Sequence, residues 1–151
     1  MKELQREVAI VTDEPGWHGR QLKKSLKKHD IKSQYVSLTD CIIVINRGVK
    51  EIIIPGFNTS PLGIFVRGVP GGTLEQVIFR LNILHALYDS GIPVYNTPKA
   101  IERTVDKSLT SLLLSRAGIP TPTTWICETP EHAKIILDKE TLNGEKIVSK
   151  P

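Results

Sequence analysis

The chain has 151 residues, 40% of them hydrophobic and 24% charged, with a net charge of +4 from 20 basic and 16 acidic side chains. That is ordinary globular composition, long enough for one core and short for two full domains. Only 5% of the residues are aromatic, so aliphatic side chains must fill the core. The cations are scattered except in RQLKKSLKKH (Arg20 to His29), where Leu22 and Leu26 stand at helical spacing with lysines between them. This pattern reads as the wet face of an amphipathic helix, and no RNA- or DNA-binding motif accompanies it. Cys41 and Cys127 are far apart, lie among apolar neighbours and lack a CxxC partner, so both are expected to be buried free thiols in a reducing compartment. The start, MKELQREVAIV, mixes charges into its apolar residues, unlike a signal peptide. No apolar run approaches the roughly 18 residues of a membrane span. A cytoplasmic protein with neither nucleic acid nor membrane as partner is expected.

In chain order, Glu7 to Thr12 (EVAIVT) is a compact apolar run closed by Asp13, Pro15 and Gly16, and it suits a buried parallel strand. A helix from about Trp17 to Asp30 and a strand from Ile31 to Leu38 follow. This β-α-β order is the mark of a parallel sheet with crossover helices. CIIVIN and EIIIP, between Cys41 and Pro55, read as a hairpin turning at Asn46-Arg47-Gly48, an excursion from the sheet. Leu62 to Arg67 is another buried strand. GVPGG leads into a helix over Thr73 to Ser90, where Thr73 and Gln76 have capping-box spacing. Leu74, Val77, Ile78, Leu81, Leu84 and Tyr88 form one apolar stripe of that helix, and Phe79, Ile83 and Leu87 a second, so cover on two sides is expected. Gly91 ends it, and Ile92 to Asn96 is the next strand.

Thr97-Pro98 and Asp106 each open a further helix, the second running over Lys107 to Ala117 with Gly118 as its left-handed stop. Thr123 to Cys127 reads as a strand, Thr129-Pro130 starts a helix to about Lys139, and Glu145 to Ser149 reads as a short terminal strand. The expected organisation is an α/β domain over 1–96, linking helices over 97–120, and a strand-helix-strand piece over 121–151. Such a piece cannot bury its own sheet face. It is therefore expected to be the start of a longer subdomain.

Three stretches carry candidate chemistry. RGVPGGT (Arg67 to Thr73) is a glycine-rich turn from a strand to a helix N-terminus, where amides and the helix dipole favour anions. It lacks the GxGxxG and GxxxxGK[ST] spacings, and a tight turn feeding a capped helix accounts for it equally well. DEPGWHG (Asp13 to Gly19) follows the first strand at the same sheet edge. There His18 could contact a substrate, although a lone His at a helix start is commonly a surface or capping residue. The four histidines lie on different elements, so no metal spacing is present. In VDKSLTSLLLSRAGIPTP, Lys107 stands at a helix N-terminus, against the macrodipole. A cation there is either simply solvated or useful to a docked anion.

The stretch AIERTVDKSLTSLLLSRAGIPTPTTWICETPEHA resembles the junction between the N-terminal and ATP-grasp domains of the RimK-like ligases. KIVSKP looks like that family's next landmark, a strand whose Lys precedes a glycine-rich phosphate loop. FVRGVPGGTLEQVIFRLNILHALYDSGIPVYN is similar to the branch linked to C1 metabolism, whose members add glutamate to a tetrahydromethanopterin-type cofactor. The resemblance implies an open, parallel, Rossmann-like pre-ATP-grasp sheet followed by an incomplete part of an ATP-grasp subdomain. It implies an ATP-dependent carboxylate–amine ligase working through an acyl phosphate, with Mg²⁺ or Mn²⁺ and with its metal ligands beyond residue 151. Carried over residue by residue, Lys107 and Lys150 reach the ATP phosphates. His18, Arg67, Gly71, Gly72 and Thr73 are candidates for binding a small-molecule acceptor, with glutamate as the second substrate and a homo-oligomer allowed. No catalytic residue and no metal ligand is expected in this chain, which alone should be inactive. Two alternatives stay open: a ligase that modifies a protein or peptide tail, and a non-catalytic α/β binding module.

Overall fold

The apolar run at Glu7 becomes the central strand of a parallel sheet. In this computed structural model, residues 7–47, 49–142 and 147–148 are described, and the chain divides into two units, Met1–Val105 and Asp106–Pro151. In the first unit β1 (Glu7–Val11) pairs in parallel with β2 (Lys32–Val36) on one side and β5 (Gly63–Val66) on the other, and β6 (Val94–Tyr95) extends the sheet beyond β5. The order is β2-β1-β5-β6.

Alternation along β1 explains its uniform hydrophobicity. Val8 and Ile10 face a core with Leu26 of α1 (Gly16–Lys28), Leu22 and Phe65. Ala9 and Val11 face the opposite core with Ile83, Leu84 and Leu87 of α2 (Leu74–Asp89). Helices on both faces leave no position from Val8 to Val11 for a polar side chain. The α/β class and the open parallel sheet expected from the sequence are those of the structure. Trp17, Lys24, Lys27 and Lys28 are exposed on α1, and Lys23 lies over the Tyr35 ring at 4.7 Å. The run of cations is therefore the solvated face of that helix.

The segment between β2 and β5 leaves the sheet. After a 3-10 turn at Leu38–Asp40, β3 (Ile42–Asn46) and β4 (Val49–Ile53) form a separate antiparallel pair. A lone hairpin is marginal in water. This one rests Ile43 and Ile52 on the core beneath α2, beside buried Cys41 and Ile54. The hairpin expected from CIIVIN and EIIIP is present.

α2 has the capping box its sequence announces: the Thr73 hydroxyl accepts from the Gln76 amide at 3.3 Å, and Gln76 Oε1 accepts from the Thr73 amide at 3.0 Å. Its two apolar stripes are covered incompletely among the described residues. Leu81, Ile83, Leu84 and Leu87 are buried, while Leu74, Ile78, Phe79 and Tyr88 are exposed. α3 (Pro98–Val105) packs beside α2, with His85 Nε2 3.6 Å from Glu102 Oε2.

In the second unit, α4 (Lys107–Arg116) and α5 (Pro130–Leu142) are present, and no described residue of this unit is buried. Two expectations are corrected here. Thr123–Cys127 is not a strand, because a strand exists only through ladder hydrogen bonds and no described segment pairs with it. Cys127 is exposed for the same lack of a core, whereas Cys41 is buried. Burial, reinforced by the Asp40 charge, pushes the Cys41 thiol up to about 11, which makes it an inert core group. Of the expected terminal strand, Ile147 and Val148 carry no strand structure, and the rest lies outside the described residues.

Three helices end in one device. Asp30, Gly91 and Gly118 each take a positive φ, and each is followed by an isoleucine whose amide reaches back to the last turn. The pairs are Ile31 to Leu26, Ile92 to Leu87 and Ile119 to Leu114, at 3.1–3.2 Å. This is the Schellman motif, and glycine suits its left-handed position. Asp30 occupies that position with a Cβ and places a negative charge at a helix C-terminus. Both effects oppose stability, so Asp30→Gly is expected to raise the unfolding free energy by about 0.5–1 kcal/mol. Urea denaturation of the two chains compares them; a lower midpoint for the variant would refute the assignment.

Candidate functional site

The strand order places β1 between β2, reached through α1, and β5, reached from the other side. This reversal opens a crevice beyond the carboxyl ends of β1 and β5, the place where open α/β sheets bind ligands. The register aligns Val11 with Val66, so the loops after these strands start side by side. The Arg67 amide donates to the Val11 carbonyl at 2.9 Å, and the Thr12 amide to the Val36 carbonyl at 2.9 Å. A cleft of about 400 Å³ lies between the loops, lined by residues 12–16, His18 and residues 67–70.

Its walls carry opposite charges. Asp13 and Glu14 come from the loop after β1, and Arg67 from the loop after β5. The Arg67 guanidinium lies 3.4 Å from His18 Nδ1, within hydrogen-bonding reach. Trp17 packs edge-on against His18 with ring centroids 5.0 Å apart. Asp13 is tied back by the Ser37 hydroxyl, which donates to its carboxylate. Ser37 also caps the 3-10 turn by accepting from the Thr39 amide. The loop is pinned further by Thr12, whose hydroxyl donates to the Glu14 carbonyl at 2.8 Å.

Of the acceptor-site candidates, the structure brings His18 and Arg67 together at this cleft. Gly71, Gly72 and Thr73 form the turn that joins its wall to α2 and are not part of the lining. The donors at that helix N-terminus are largely engaged within the protein. Thr73 and Gln76 satisfy each other, and Glu75 brings its own carboxylate, held below its usual value by its backbone amide and the Thr73 side chain. The site presents Arg67 as its cation, more than an open helix end.

Sequence reasoning overlooked Arg80. It is buried, and its Nη1 donates to the carbonyls of Pro70 at 2.9 Å and Gly71 at 2.8 Å. Such charge-assisted bonds contribute about 1.5–3 kcal/mol each in typical proteins. The available signal was an Arg inside the apolar repeat VIFRLNIL, at a position facing the core.

Lys107 belongs to the second unit. It is exposed at the first position of α4, beside the cap residue Asp106. The Asp106 carboxylate accepts from the Ser108 hydroxyl at 2.6 Å and the Leu109 amide at 2.9 Å. With a carboxylate on the helix end, Lys107 and not the dipole is the positive group offered to an anion. Lys150 lies outside the described residues. Among the described residues no three His, Cys, Asp or Glu side chains come together to hold a metal ion, and no helix is long and apolar enough to cross a membrane.

No protein-family model matches the chain. Curated relatives do. The chain is 28% identical over 137 residues to the tetrahydromethanopterin:alpha-L-glutamate ligase of Methanosarcina acetivorans, covering 82% of this chain and 40% of that protein. It is 29% identical over 147 residues to the enzyme of the same name from Methanococcus maripaludis, covering 95% of this chain and 47% of that protein. The chain thus spans somewhat less than half the length of the curated relatives it matches. Among solved structures, the ATP-grasp ligase PsnB, complexed with a phosphomimetic variant of its minimal precursor, Mg and ADP, superposes with a TM-score of 0.60 at 16% identity. That match covers 87% of this chain and 51% of PsnB. A RimK domain ATP-grasp protein of Sphaerobacter thermophilus gives a TM-score of 0.60 at 20% identity, over 88% of this chain and 45% of that one. At these identities the shared property is the fold. The chain is thus similar in sequence to these glutamate ligases and in fold to RimK-like ATP-grasp ligases.

Hydrogen bonds to the ionised form hold the Asp106 carboxyl below its ordinary value of 3.8, with the Ser108 hydroxyl as the first cause and the Leu109 amide next. A depressed folded-state value means that the cap stabilises α4 fully above the unfolded value. That contribution is lost as pH falls through the lower folded value. Fraying of the first turn of α4 is expected only below 3.8, read as faster exchange of the Leu109 amide after correction for intrinsic rates. Asp106→Asn keeps an acceptor but does not titrate, so it should lose this pH dependence. An identical profile in the variant would show that another group is responsible.

Proposed function

We propose that this chain is part of an ATP-dependent carbon–nitrogen ligase that joins glutamate to a pterin-type acceptor. The observation that carries the reading is the set of three relatives, 28–29% identical over 82–95% of this chain, all named tetrahydromethanopterin:alpha-L-glutamate ligase. The ATP-grasp fold of the structural neighbours, one of them holding ADP and Mg, supports the use of ATP and a divalent metal. A peptide acceptor, as in the PsnB complexes, has only the fold in its favour.

The chemistry proceeds in two steps. A carboxylate oxygen of the acceptor attacks the terminal phosphorus of ATP, ADP departs, and an acyl phosphate forms. The glutamate amine then attacks the acyl carbon, the carbon–oxygen bond breaks, inorganic phosphate leaves, and the nitrogen loses a proton. Mg²⁺ or Mn²⁺ would supply charge neutralisation for the phosphates. The described residues offer that ion no cluster of ligands.

The roles within this chain are charge and position. Lys107, and Lys150 beyond the described residues, would neutralise phosphate oxygens. Arg67 would bind a carboxylate of the acceptor, and His18 would orient it from the opposite loop. Gly71, Gly72 and Thr73 would shape the wall that carries Arg67. A cytoplasmic location, where ATP and glutamate are available, fits this reading.

In the enzyme that carries this chain, Lys107→Ala is expected to raise the KM for ATP or lower kcat by tenfold or more, about 1.4 kcal/mol. Steady-state release of ADP, dependent on both glutamate and tetrahydromethanopterin, reads this out; wild-type constants would remove Lys107 from the site. Arg67→Ala is expected to raise the KM for tetrahydromethanopterin at least tenfold while leaving the KM for ATP within twofold. The opposite split would move Arg67 to the nucleotide.

A further inference from the structure

A loop at the mouth of a cleft normally leaves its carbonyls to water. Here two consecutive carbonyls, those of Pro70 and Gly71, are held by one guanidinium nitrogen, at 2.9 and 2.8 Å. The guanidinium belongs to Arg80, which is 7% exposed and has no carboxylate partner among the described residues. Burying a cation without a counter-charge is costly, and an apolar residue of similar size would fill such a site at lower cost. Its observed bonds point in one direction, to the loop. Pro70 itself lines the cleft, so the restraint acts on the wall directly.

The neighbouring glycine belongs to the same device. A Cβ on Gly72 would stand 2.9 Å from Arg80 Nη1 and closer still to the Gln76 side chain. The guanidinium reaches the loop because position 72 has no side chain. Gln76 in turn caps α2, so helix start, glycine and guanidinium fix one loop geometry.

We propose that Arg80 is a positioning residue of the cleft: from the interior it holds the Pro70 and Gly71 carbonyls and presets the loop that presents Arg67 to the acceptor. The role in acceptor binding rests on the ligase reading above; the role in fixing the loop does not. Arg80 does not touch the substrate. It removes the cost of ordering the wall when substrate arrives.

The test uses the 151-residue chain, wild type and with Arg80→Met or Arg80→Lys. Backbone ¹⁵N order parameters of Val69 and Gly71 are expected near those of rigid backbone, about 0.85, in the wild type and below about 0.6 in Arg80→Met. β1 and β5 should be unchanged, and Arg80→Lys should lie between. Mobile Val69 and Gly71 in the wild type, or equal rigidity in all three chains, would overturn the proposal. If Arg80→Met does not fold, Arg80→Lys decides: a local rise in loop mobility supports the role, and none overturns it. Tetrahydromethanopterin binding by the enzyme that carries this chain, measured by calorimetry with the same substitutions, is the second readout. At least tenfold weaker binding in Arg80→Met, with recovery to within threefold in Arg80→Lys, is expected. Unchanged binding despite a loosened loop would overturn the positioning role. A wild-type enzyme that does not bind tetrahydromethanopterin would sink the acceptor reading instead, and the order parameters would then decide the role of Arg80 alone.

Discussion

The in-register pairing of β1 with β2 and β5 is the constraint on which the rest of the first unit depends. Once β1 has parallel neighbours on both sides and a helix on each face, every one of its side chains from Val8 to Val11 must be apolar. The chain must then leave the sheet at Thr12, and β5 must release its chain at Arg67, one step from the same point. The cleft between these loops follows from strand order and register. Its acidic and basic walls are therefore set by which residues follow two adjacent strands.

The glycine-rich turn illustrates how one motif can be used in two ways. Its helix end could in principle hold an anion through amides and dipole. Its own side chains take up much of that capacity: Thr73 and Gln76 close the capping box, and Glu75 adds a carboxylate to the first turn. Asp106 does the same at the start of α4. In both places the cation available to a ligand is a side chain, Arg67 in one unit and Lys107 in the other. An ammonium or guanidinium can follow a phosphate or carboxylate through a reaction, whereas a helix end cannot move.

The second unit obeys a different balance. Its helices form through local signals: Asp106 caps α4, Gly118 stops it, and Thr129 accepts from the His132 amide at the start of α5. Yet no described residue from Asp106 onward is buried, and Trp125, Ile126 and Ile135 are exposed. Helices can satisfy their backbones alone. Strands cannot, so Thr123–Cys127 remains without a ladder although its composition is that of a strand.

The sequence by itself determined what is local or periodic. The strand β1, the capping box of α2, the hairpin at Asn46, the Asp106 cap and the stops at Gly91 and Gly118 were all legible, because each depends on residues a few positions apart. So was the pairing of His18 with Arg67 in one region, since both follow strands of one sheet. Only the tertiary structure decided the strand order that opens the cleft, the tethering of Asp13 by Ser37, and the burial of Arg80 beneath the loop. These join residues that are 9–55 positions apart, and their contacts depend on which strands become neighbours. Cys41 and Cys127 show the same division: both look apolar in sequence, but only Cys41 has a core packed around it.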